Sequence, residues 1–68
     1  MVIVMNGKKT NTAEAVTLVT LLQENGINEN TDGVAVAVNS GVVPKRKWAE
    51  LRLHDGDVVE VIHAVQGG

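Results

Sequence analysis

The chain opens on Val2-Ile3-Val4-Met5, an unbroken apolar run rich in β-branched residues, which predicts a central strand. Asn6-Gly7 follows at once. Both residues tolerate positive φ, so a tight hairpin should return the chain through Lys8 to Asn11 or Thr12. That second strand is polar, as suits the edge of a sheet. The period then lengthens. Leu18, Leu21 and Leu22 stand at i, i+3 and i+4, the stripe of a helix that buries one face, with Val19 beside it. Thr17 is the expected N-cap. The helix should run to about Asn25, where Gly26 can stop it in a left-handed conformation. It is short and carries threonines, so its stability must come from packing rather than propensity.

Residues 27–33 form a polar connection, after which the period falls to two. In Val34-Ala35-Val36-Ala37-Val38 the valines should face the core and the alanines the other side. Asn39-Ser40-Gly41 predicts a turn, and Val42-Val43 a short strand ended by Pro44. A basic triplet, Lys45-Arg46-Lys47, precedes Trp48, and Leu51 and Leu53 flank Arg52 in a short extended piece. His54-Asp55-Gly56-Asp57 is a turn signal, and Val58 to Val65 the last strand. This order predicts an α+β roll, a mixed sheet of four to five strands with one main helix packed across it.

Composition narrows the function classes. At 68 residues there is room for one domain, 1–68, and little room for a deep pocket with supporting residues behind it. Cysteine is absent, which excludes a disulfide scaffold, a Cys-ligated zinc site and a thiol nucleophile. The net charge of −2 gives no nucleic-acid footprint, and the first apolar run is too short to span a membrane. The expected setting is the reducing cytoplasm. Trp48, the lone aromatic, is expected to cover one end of the core rather than stack on a nucleotide. His54 and His63 lie on different elements and suggest no metal site. Asp55-Gly56-Asp57 resembles a fragment of a calcium loop without the remaining ligands, so a turn is the better reading.

The chain ends Gln66-Gly67-Gly68. Glycine has no Cβ, so a diglycine can thread a narrow channel while its last carbonyl stays open to attack. The working group is therefore expected to be the Gly68 α-carboxyl, on a flexible tail over residues 66–68, with Gly67 giving passage. No catalytic side chain and no bound cofactor are expected.

Together, Asn6-Gly7, the leucine helix, Val34 to Asn39, Val43-Pro44-Lys45, Trp48, Leu53, Asp55-Gly56-Asp57, Val59-Glu60-Val61 and Gly67-Gly68 resemble the ThiS sulfur carriers of thiamine biosynthesis. The resemblance implies a β-grasp (ubiquitin-like) fold and a non-enzymatic role. It further implies that a ThiF-like adenylating enzyme uses ATP to activate Gly68. A persulfide sulfur donor protein then leaves a thiocarboxylate, which gives its sulfur up inside a thiazole synthase. Lys45 stands where the family usually carries arginine, with Arg46 after it. A molybdopterin carrier, a ubiquitin-like modifier joined to lysines, and a plain interaction domain are the alternatives.

If Val59 and Val61 point into the core, Val58, Glu60 and Ile62 share the opposite face. That face beside the tail is the expected docking surface, with Gln66 at its end and Lys45 and Arg46 able to steer an acidic partner. The alternative reading is scattered exposed aliphatics and a solvated charge run.

Overall fold

A computed structural model describes residues 1–63. Five strands and one helix follow in the order β1 (Val2–Met5), β2 (Lys8–Asn11), α1 (Leu18–Glu24), β3 (Val34–Val38), β4 (Gly41–Val42) and β5 (Val58–His63), with a 3-10 turn at Lys45–Lys47 before β5. They form one mixed sheet in the order β2-β1-β5-β3-β4. β1 is interior, as its apolar run requires, but the middle position belongs to β5. That strand runs parallel to β1 and antiparallel to β3. The polar β2 takes one edge.

The helix forms for the expected reasons. The Thr17 hydroxyl accepts a bond from the Thr20 N–H, satisfying one of the free donors of the first turn. Gly26 stops the helix at φ +79°, and a Cβ there would meet nothing, so glycine serves conformation and not space. Leu18, Leu21 and Leu22 are buried against Ile3, Val36, Val59 and Val61 from the sheet. Burying each leucine side chain is worth roughly 1.5–3 kcal/mol, which explains how a seven-residue helix persists.

Trp48 is 1% exposed, inside the core, and its indole N–H donates to the Val43 carbonyl at 3.0 Å. It is closed to a stacked nucleotide. Residues 51–53 are extended as expected. Arg52 bridges to Thr17, and the Leu53 N–H donates to the Val16 carbonyl, so this piece covers the start of α1.

Two boundaries differ from expectation. The second hairpin turns on Asn39 and Ser40 alone, at φ 49° and 71°, and Gly41 is already the first residue of β4. The short strand is therefore Gly41–Val42 rather than Val42-Val43; Val43 instead packs against the core. The cause is the right-handed twist of the flanking strands, which suits a two-residue loop with both φ angles positive. The expected end of the last strand at Val65 lies outside the described residues.

Candidate functional site

β5 delivers the chain toward its C-terminal end, and three neighbours hold it in register. From β1, the Val4 N–H donates to the Asp57 carbonyl and the Asn6 N–H to the Val59 carbonyl, at 2.9 and 3.0 Å. The Asn6 side-chain oxygen then accepts the Val61 N–H at 2.8 Å, continuing the ladder beyond the end of β1. On the other flank, the Asn39 N–H donates to the Val58 carbonyl at 2.8 Å, and its side-chain oxygen accepts the Val58 N–H at 2.9 Å. Each asparagine thus makes its hairpin turn and also binds the middle strand.

The turn before β5 uses both of its carboxylates on local donors. Asp55 accepts the Val2 N–H at 2.8 Å. Asp57 accepts the His54 N–H at 2.8 Å and the Asn39 amide at 3.0 Å. Partial burial opposes ionisation of Asp57, but the His54 N–H, the Asn39 amide and the nearby His54 ring outweigh it and hold the carboxyl below its ordinary value. Among the described residues no cluster of three or more His, Cys, Asp or Glu side chains could hold a metal.

The alternation along β5 falls as its period requires. Val59 and Val61 are buried; Val58, Glu60 and Ile62 face away from the helix, with Ile62 57% and Val58 38% exposed. Cross-strand register builds the rest of that face. Ala35 lies opposite Ile62 and Ala37 opposite Glu60, and beyond Ala37 stands Val42, 76% exposed. On the other side Val4 lies beside Val58, Lys9 lies opposite Val4, and Val2 shares their face. The outer sheet surface is thus largely aliphatic, with Glu60 on its middle strand and Lys9 and Asn11 at its β2 edge. Sequence reasoning found its β5 residues and the alanines but missed Val2, Val4 and Val42. Their signal was available: Val4 is one step from Ile3, and Val42 one from Val43, both inward-facing.

Lys45 and Arg46 part company. The Lys45 ammonium reaches back 3.1 Å to the Thr31 carbonyl and ties down the loop before β3, while Arg46 is exposed. Gln66, Gly67 and Gly68 lie outside the described residues. Among the described residues no helix is long and apolar enough to cross a membrane.

A helix laid across one face of a mixed five-stranded sheet, with the middle strand leading to the C-terminal end, defines a β-grasp domain. Beyond the fold, the chain belongs to the ThiS family, whose model matches residues 3–68. It is 29% identical to the sulfur carrier protein ThiS of Escherichia coli, with all of both chains covered. It is 35% identical over 68 residues to a thiazole synthase of Paramagnetospirillum magneticum, of whose length it spans 20%. The crystal structure of the thiamine biosynthesis protein ThiS from Geobacter metallireducens superposes with a TM-score of 0.84 at 27% identity, covering 100% of both chains.

Proposed function

We propose that this chain is a sulfur carrier for thiamine biosynthesis and that Gly68 is the group that carries the sulfur. The observation that carries the reading is the family match, which extends through the diglycine to residue 68. The chemistry follows from the end group. At neutral pH a C-terminal carboxylate is anionic and a poor electrophile, so an oxygen leaves only after activation. A ThiF-like adenylating enzyme would join the Gly68 carboxylate to the α-phosphate of ATP, with pyrophosphate leaving. A persulfide sulfur from a donor protein then attacks the acyl carbon and expels AMP. Cleavage of the resulting S–S bond by a thiol leaves the Gly68 thiocarboxylate. Beyond the Gly68 carboxylate itself, which attacks the α-phosphate, the carrier supplies no acid, base or nucleophile to these steps. Gly67 keeps the tail slim enough to reach the activating site.

A thiazole synthase is the recipient this reading favours, because a relative of that name contains a segment similar to the whole chain. Joining carrier and recipient in one polypeptide raises their effective concentration, which is useful only if the two meet. The exposed aliphatic face beside β5 is the proposed docking surface for the enzymes that handle the tail.

The test is intact mass. With a ThiF-like enzyme, ATP, a persulfide donor and a reducing thiol, the chain should gain the sulfur-for-oxygen difference, and a chain lacking Gly68 should not. An unchanged mass beside an enzyme shown to be active on another carrier overturns the reading.

A further inference from the structure

We propose that Glu60 is the specificity residue of the outer sheet face: it receives a lysine or arginine that the adenylating enzyme sets into an otherwise apolar contact. The inference rests on the carrier reading above and names the chemistry of the partner.

Glu60 has aliphatic neighbours along β5 and across β3, while on the β1 flank the exposed Asn6, bonded to the Val59 carbonyl and the Val61 N–H, stands level with it. Val58 and Ile62 flank it on β5, Ala37 lies opposite it on β3, and Val42 stands beyond Ala37. Within β1 itself the nearest outward residue is Val4, the partner of Val58. On this face the structure places a cation at Lys9, two strands away at the β2 edge, opposite Val4. The described residues give Glu60 no ion-pair partner; the ion pairs among them involve Glu14 and Asp57. Glutamate is also disfavoured in strands, and here it sits in the middle one. Local folding therefore gives no reason for it.

A docked surface supplies that reason. An apolar face of this extent invites an apolar cover. Any such cover strips water from the Glu60 carboxylate, and a carboxylate buried without a partner is heavily disfavoured. Only a surface that brings a cation to this spot fits, so one charge excludes purely apolar competitors as well as acidic ones. Arginine suits the role best, because its planar fork matches both carboxylate oxygens. The adenylating enzyme is the partner that fits the position. Glu60 lies on the strand that leads to Gly68, so the enzyme that grips the tail is carried against this face.

Steady-state adenylation, read as pyrophosphate release while the concentration of carrier is varied, tests the inference with Glu60→Lys and Glu60→Gln. Reversing the charge should raise KM for the carrier about 10-fold or more with kcat little changed, and the Gln variant should fall between. Added salt should weaken the wild type more than Glu60→Gln. Reversing the facing cation on the enzyme should restore Glu60→Lys. Circular dichroism and melting temperature should match the wild type, since the side chain is exposed; if the Lys variant fails to fold, the near-isosteric Gln variant carries the test. Wild-type KM in Glu60→Lys overturns the inference and leaves Glu60 as a guard against self-association. The carrier reading stands or falls separately, on whether the wild type is adenylated at all.

Discussion

Asn39 and Asp57 show how much one polar pair can fix. Asn39 binds the Val58 backbone through both its own N–H and its side-chain oxygen, and its amide donates to Asp57, which also caps the His54 N–H. Ionised Asp57 accepts both of these bonds better than the neutral acid would, which is why its carboxyl is held below the ordinary range despite partial burial. The sign follows. A lowered folded value gives stability that is present above the unfolded value, about 3.9, and lost as pH falls through the folded one. Asp57→Ala should cost about 1–3 kcal/mol at neutral pH, measured by urea unfolding. The gap between wild type and variant should shrink once pH drops below about 4; a gap that widens there would contradict the assignment. Of this network the sequence showed only the turn. The bond from Asn6 to the Val61 N–H crosses 55 residues, and no local pattern marks such a partner. The same holds for Lys45, which looked like a free charge beside Arg46 until the Thr31 carbonyl was placed against it.

Among the elements, legibility tracked periodicity. The leucine stripe placed α1 with its Thr17 cap and Gly26 stop, and the period of two, given Val59 and Val61 inward, placed both faces of β5. Asn6-Gly7 marked the first hairpin because its second residue is the one that takes positive φ most easily. The second hairpin was misjudged by one residue because the nearby glycine is not in the turn. Ser40 holds φ 71° with a Cβ in place, a conformation that costs a non-glycine residue roughly 1 kcal/mol. Ser40→Gly should therefore raise stability by about 0.5–1 kcal/mol, seen as a later urea midpoint at unchanged slope. An earlier midpoint would mean that the serine contributes something beyond the turn. The same twist preference moved the short strand to Gly41–Val42 and freed Val43 to pack inward, where its carbonyl also holds Trp48.

For the molecule as a whole, the two sheet faces differ in kind. One face is closed by α1 and Trp48; the other is aliphatic and open. Ile62, 57% exposed beside Ala35, belongs to the open one. Ile62→Asp should leave unfolding within about 0.5 kcal/mol of wild type, as surface changes do, while weakening capture by the adenylating enzyme in a direct binding titration. Full-strength binding would remove this face from the docking surface. The outer face was only partly legible for a plain reason: the period of two along β5 marks Val58, Glu60 and Ile62, whereas a surface assembled from β1, β3, β4 and β5 exists only after the strands are ordered. That ordering has a mechanical result. A force applied along β5 meets bonds to β1 and β3 that lie crosswise to it on both flanks. They share the load side by side instead of parting in succession, so a pull along this strand leaves the body of the domain in shape.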